Sequence, residues 1–185
     1  LEALAIIDAD RDAWWLSSEG FGVTAFDPAT SVDGEQAAAQ RRAVDWLVWD
    51  LQLGVTPLPG ADGYLDPVDP GVRTRIGDLA RVVRSGFDGR IVVGHDVYPN
   101  AMRWHGADPP SWSVQDRVAI AVGELRRWYQ RYRLPFWISE TSNLSLPVSE
   151  QIPWLEAIGA ELDAMRGEAL PVRGFCWYSR GDQYD

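Results

Sequence analysis

FWISETSN, residues 136–143, is the stretch on which the reading of this chain turns. Phe136, Trp137 and Ile138 are aromatic or β-branched and follow Pro135, the pattern of a short buried strand. Ser139-Glu140-Thr141-Ser142-Asn143 is polar and turn-prone. A carboxylate, Glu140, therefore stands at the C-terminal mouth of a buried strand, the position at which α/β barrels carry their catalytic side chains. An ordinary strand end with a solvated glutamate is the competing reading of these eight residues.

Working outward, three more segments read as strands that end in polar or aromatic residues. Residues 13–18 (AWWLSS) close on Glu19-Gly20. Residues 90–94 (RIVVG) empty into His95-Asp96-Val97-Tyr98-Pro99-Asn100. Residues 172–178 (VRGFCWY) run into Ser179-Arg180-Gly181-Asp182-Gln183-Tyr184-Asp185.

Helical patterns separate them. Over residues 35–53, Val44, Leu47, Val48 and Leu51 form an apolar stripe, with Gly54 as the stop. Residues 55–70 are rich in Pro, Gly and Asp and read as a long loop. Residues 72–85 place Ile76, Leu79, Ala80 and Val83 on one face. Ser113 and Asp116 form a capping box for a helix carrying Val118, Ala121, Val122, Leu125, Trp128, Tyr129 and Tyr132 inward. Ser149 is the expected cap of a last helix with Ile152, Leu155, Ile158, Leu162 and Met165 as its stripe, and Pro153 early enough to be tolerated. Leu1, Leu4 and Ile7 read as a helix tail, and the segments around Pro28 and around Trp104, His105 and Trp112 as irregular loops.

Strand–helix alternation of this kind argues for a parallel sheet with crossover helices. In such a sheet Glu19, Asp96, Tyr98, Glu140 and the residues from Trp177 onward lie at one end, the main argument for an active site. The chain has 185 residues, 46% of them hydrophobic and 24% charged, and reads as one soluble domain, residues 1–185. No apolar run has membrane-spanning length and no signal-peptide pattern is present, so a cytoplasmic protein is expected. A net charge of −10 argues against a nucleic-acid partner. One cysteine and two histidines argue against a disulfide framework and a zinc centre, and no cofactor is expected. The absence of a Gly-rich phosphate loop leaves a doubly wound nucleotide-binding domain without support. Ten tryptophans are the compositional outlier. Rigid indoles stack on the C–H faces of sugars, and they also fill cores.

The residues quoted above resemble the C-terminal half of a clan A retaining glycoside hydrolase, closest to glycoside hydrolase family 1. SETSN is similar to the family's strand-end motif whose Glu is the nucleophile, which implies that role for Glu140. FCWYSRGDQYD resembles the family's last-strand motif. The resemblance implies a glycone-lining role for Trp177 and a sugar-gripping role for Asp185, with Asp182 in the same motif. VGHDVYPN resembles the sixth-strand pattern, with Tyr98 matching its second Tyr and Val97 standing where the family has the Tyr that touches the nucleophile. The implied fold is α/β, a (β/α)4 half of a TIM (β/α)8 barrel comprising strands five to eight.

The implied activity is hydrolysis of O-glycosidic bonds in a mono- or oligosaccharide glycoside by double displacement. The family's acid/base Glu follows Asn, and no Asn-Glu pair occurs in this chain. That group is expected from an N-terminal half-barrel chain or a second copy, which would also cover the open sheet edges. Within the chain, Glu19 is the candidate for the second carboxylate, or a plain rim residue. Asp96, Tyr98 and Trp104 are further substrate-binding candidates, against the readings of an Asx turn for Asp96 and of edge cover for Trp104. His95 could also meet sugar. A catalytically incomplete half-barrel that binds carbohydrate or serves assembly is the alternative.

Overall fold

The computed structural model describes residues 13–26, 31–106, 108 and 110–178. The N-terminal helix tail, Pro28, Arg180, Asp182 and Asp185 lie outside the described residues. The chain divides into two compact units, residues 1–15 with 28–91, and residues 16–27 with 92–185.

The first unit is helical. Helices α1 (Ser31–Asp45) and α2 (Leu47–Leu53) replace the single helix expected over residues 35–53 and are separated by a turn at Trp46. Trp46 stays tied to both: its N–H donates to Arg42 O, and its carbonyl accepts from Asp50 N–H. The buried face is also not the expected one. Ala43, Trp46, Trp49 and Leu53 are buried, whereas Val48 is 36% exposed and Val44, Leu47 and Leu51 are half-buried. Indoles remove more apolar area from water than the aliphatic stripe would, and they take the inward positions.

Gly54 stops α2 in the left-handed region (φ 63°), as expected. The following segment contains a short helix, α3 (Asp62–Leu65), inside the expected loop. Buried Asp50 anchors it by accepting from Leu58 N–H at 3.2 Å. Helix α4 (Pro70–Gly86) begins on Asp69, whose carboxylate accepts from Gly71 and Val72 N–H, with Pro70 at the first helical position. Ala80 and Val83 are its buried residues. Arg84 donates to Leu53 O at 3.1 Å, fastening α4 to the end of α2.

The second unit holds the parallel sheet. Its order is β1 (Trp15–Leu16), β4 (Ile91–Val97), β6 (Phe136–Thr141), β7 (Val172–Trp177), with β2 (Glu19–Gly20) also pairing with β4. The boundary between the units runs through β1 and β4. All three recorded pairings along β4, β6 and β7 are parallel, and the four expected strand segments appear in sequence order. The fold is thus a parallel-strand α/β arrangement with an open sheet.

Helix α5 (Val114–Tyr132) starts on the expected Ser113–Asp116 capping box. It buries Val118, Ala121, Val122, Leu125, Trp128 and Tyr132. Helix α6 (Gln151–Gly167) buries Trp154, Ile158, Leu162 and Met165. Two expectations fail there. Ile152 is 58% exposed because Trp154 occupies the inward position, and the helix starts after a 3₁₀ turn at Val148–Glu150 rather than on a Ser149 cap.

A pairing not expected from the sequence joins β3 (Val23–Phe26) to β5 (Met102–His105) in parallel, drawing Trp104 and His105 out of the expected loop. Both strands are only four residues long, so neither carries a periodic signal of its own. No helix among the described residues is long and apolar enough to cross a membrane.

Candidate active site

The candidate site is built by the second unit, on one face of β4 and β6. Along β4 the side chains alternate. His95 and Val97 are buried, and His95 packs its ring on Phe21, Trp128 and Phe136 at centroid distances of 4.8, 4.5 and 5.9 Å. Gly94, Asp96 and Tyr98 belong to the opposite face.

β6 breaks this alternation. Ile138 pairs with His95 and Thr141 with Val97, so three steps along β6 match two along β4. The same three steps match two on β7, where Ile138 pairs with Phe175 and Thr141 with Trp177. The extra residue therefore belongs to β6. Ile138 and Thr141 are both fully buried on the helix side, and Thr141 Oγ1 accepts from Trp154 Nε1 of α6 at 3.0 Å while donating to Val97 O at 2.7 Å. Ser139 and Glu140, between them, both turn to the Asp96–Tyr98 face. A bulge is a means of re-aiming a side chain. Without it, strict alternation would send Glu140 toward the helices.

On that face Tyr98 Oη donates to Glu140 Oε2 at 2.8 Å. Burial, this bond and the charges of Glu140 and Asp96 hold the Tyr98 phenol above its ordinary range. Tyr98 thus makes the contact to the carboxylate, and Val97, which stands at the expected position for it, is a core residue. Asp96 Oδ1 accepts two hydroxyls, Ser139 Oγ at 2.7 Å and Ser18 Oγ at 2.8 Å. Ser18 and Ser139 carry no sequence signal beyond being hydroxyls beside a carboxylate, and neither is recognisable from the sequence as a site residue.

The other candidates are distributed around this core. Trp177 is half-buried and pairs in register with Thr141, and the next residue, Tyr178, donates its N–H to Thr141 O at 2.9 Å. Trp104 on β5 meets Trp112 edge-to-face at 5.7 Å, with the Arg117 guanidinium over Trp112 at 5.4 Å. Arg117 also donates to Pro99 O at 3.2 Å, linking this aromatic pair to the segment that follows Tyr98. Glu19 pairs in register with His95, and Gly20 with Asp96. Its strand segment lies on the far side of β4 from β6, about 9–10 Å from Glu140 by strand spacing. Register partners in a parallel pair project to the same face, which puts Glu19 on the His95 side rather than with Asp96.

His95 is a core histidine rather than a sugar contact: burial pushes its pKa down to about 3. An unfolded histidine ionises near 6.5, so below that pH the unfolded chain binds a proton that the folded chain refuses. The stability this neutral ring allows is complete above pH 6.5 and is lost as pH falls toward 3. Between pH 7.5 and 5, denaturant titration is expected to lose about 2 kcal/mol more for the native chain than for His95→Phe. Equal losses would show that His95 is not the acid-labile group.

No family model matches the sequence, and no curated protein matches it. The fold does have counterparts among solved structures. A family 1 β-glucosidase from Thermotoga maritima superposes with a TM-score of 0.69 at 13% identity, over 96% of this chain and 43% of that one. The β-glucosidase from Thermotoga maritima in complex with methyl acetic acid-substituted glucoimidazole gives 0.70 at 13% identity, over 96% and 44%. A β-glucosidase from Exiguobacterium marinum gives 0.68 at 13% identity, over 96% and 45%. The chain spans less than half the length of these relatives. Its fold is that of part of a TIM barrel.

Proposed function

We propose that this chain, residues 1–185, is one half-barrel of a retaining glycoside hydrolase, with Glu140 as nucleophile. The observation that carries the reading is the β6 bulge that turns Glu140 out of the helix layer and onto Tyr98 at 2.8 Å, at the carboxyl end of a parallel strand. The likeness in fold to β-glucosidases supports the same class of reaction, with a mono- or oligosaccharide glycoside as substrate.

In the first step a Glu140 oxygen bonds to the anomeric carbon, the glycosidic C–O bond breaks, and the leaving oxygen takes a proton from a second carboxyl group. In the second, that group takes a proton from water, the water oxygen bonds to the anomeric carbon, and Glu140 is released. Tyr98 holds Glu140 by one oxygen and leaves the other for attack. Trp177, Asp96 and Trp104, with Asp182 and Asp185, are the proposed sugar-contacting residues.

The two carboxyl groups of a retaining enzyme stand about 5–5.5 Å apart. Glu19 fits this poorly, since β4 separates it from Glu140 and its register partner is the core residue His95. The proposed source of the acid/base is therefore a second half-barrel, on a partner chain or a second copy. The sheet ends on β1 and β7, where Leu16 is 59% and Phe175 43% exposed, and a second half would cover both. The placement of Glu19 also favours a second reading, in which this half binds carbohydrate or serves assembly without turnover.

Light scattering separates an assembly of two halves from a lone chain. Treatment of that assembly with an activated 2-deoxy-2-fluoroglycoside is the deciding experiment. The expected result is a glycosyl adduct on the peptide carrying Glu140. Sugar binding without an adduct would replace the hydrolase reading by the carbohydrate-binding one.

A further inference from the structure

We infer that Asp96 is a positioning residue for Glu140, acting through Ser139: its carboxylate clasps the bulged residue of β6 and so keeps the neighbouring glutamate on the Tyr98 face. This deepens the proposed function and rests on it only for what Glu140 does afterward.

The bulge has to be held by something. Ser139 is buried, and the strand it belongs to could relax by returning to simple alternation, which would rotate Glu140 toward α6. On the site face Tyr98 holds the Glu140 carboxylate itself, and two bonds to a single Asp96 oxygen fix the bulged residue beside it. Asp96 Oδ1 takes Ser139 Oγ at 2.7 Å from β6 and Ser18 Oγ at 2.8 Å from the segment between β1 and β2. Hydrogen bonds from hydroxyls to an ionised acceptor are stronger than neutral ones. The clasp therefore spans three neighbouring segments of the sheet.

Gly94, two residues before Asp96, makes room for it. A Cβ there would lie 2.1 Å from Ser17 O and 2.8 Å from Ser139 Cβ, so only a glycine lets these segments close on Asp96. On the helix side, Thr141 is pinned between Val97 O and Trp154, which fixes the end of the bulge but not the direction of Glu140 within it.

Tyr98 reports on the arrangement without any substrate. Its phenol stays protonated above the usual range because it is buried and bonded to Glu140. If Glu140 swings away, Tyr98 ionises more readily. The chain is labelled with ¹³Cζ-tyrosine, and the Tyr98 resonance among the six tyrosines is identified by its loss in Tyr98→Phe. Its ionised fraction is then read at pH 11, where an ordinary tyrosine near pKa 10 is about nine-tenths ionised.

Ser139→Ala is the deciding variant because it removes the clasp while leaving the charges of Asp96 and Glu140 in place. The Tyr98 ionised fraction is expected to rise at least threefold in Ser139→Ala and to remain at the native value in Ser139→Thr, which restores a hydroxyl. Ser18→Ala loosens Asp96 from the other side and is expected to move Tyr98 in the same direction; it decides the matter if Ser139→Ala does not fold. An unchanged ionised fraction in the folded variants would overturn the proposal. The measurement involves no hydrolysis, so an inactive chain can still show the clasp and an active one can fail to.

Discussion

Replacing Glu140 by glutamine is expected to lower aryl glycoside turnover about 10⁴-fold or more, in the assembly that carries out the hydrolysis. Such a loss corresponds to about 5 kcal/mol of transition-state stabilisation. The substitution keeps shape and removes charge. Glutamine keeps the planar head group, and its Oε1 can still accept the Tyr98 hydroxyl that Glu140 Oε2 accepts at 2.8 Å. The bulge, the Asp96 bonds and the Thr141–Trp154 bond do not involve the Glu140 carboxylate, so the fold has no reason to change. The amide lacks the anionic oxygen that must form the glycosyl ester. Turnover should therefore collapse while the thermal midpoint moves by no more than about 2 °C, a shift worth about 0.5–1 kcal/mol. Glu140→Ala with added formate, which returns a small carboxylate to the vacated space, should recover part of the rate. Activity within tenfold of native in Glu140→Gln would remove Glu140 from the nucleophile's role.

Gly94→Ala is expected to destabilise the second unit by about 3 kcal/mol or more, at the upper end of what overpacking costs. The new methyl would meet Ser17 O at 2.1 Å, Ser139 Oγ at 2.7 Å and Ser139 Cβ at 2.8 Å. The first of these is backbone and cannot swing aside as a side chain can. Gly94 N–H also bonds Ser17 Oγ at 3.3 Å, so separating the two segments forfeits that contact and strains both ties of Asp96. Gly123, inside α5, is the control. A Cβ there has no neighbour within 4 Å, and Gly123→Ala should stabilise by about 0.5–1 kcal/mol through helix propensity. Denaturant midpoints of the two variants should thus move in opposite directions. A Gly94→Ala chain within 0.5 kcal/mol of native would show that the sheet relaxes at this point, and the clasp on Asp96 with it.

Much of the scaffold was legible before any coordinates. Strand segments at Ile91–Val97, Phe136–Thr141 and Val172–Trp177 announce themselves by β-branched and aromatic runs, and the Ser113–Asp116 box marks the start of α5. These are local signals: each depends on residues within one turn or one strand, so composition and spacing suffice. The rim position of Glu140 follows from them. Misjudged helix faces share one cause. On α2 and α6, Trp49 and Trp154 take the inward positions that an aliphatic count assigned to Val48 and Ile152, because burying an indole removes more area than burying a branched aliphatic side chain.

What only the tertiary structure decided is the direction in which the rim residues point. Strand alternation alone would place Glu140 with Ile138, among the helices. It faces Tyr98 because β6 carries one residue more than both its neighbours between matched positions, a fact about three strands at once. The same holds for Asp96, whose partners Ser18 and Ser139 lie 78 and 43 residues away, and for β3 and β5, short segments that become strands only by pairing with each other. By itself the sequence determined which segments form strands and helices and which end of the sheet collects carboxylates. Register and facing came from the fold, because a one-residue slip leaves composition and local propensity unchanged while reversing every side chain beyond it.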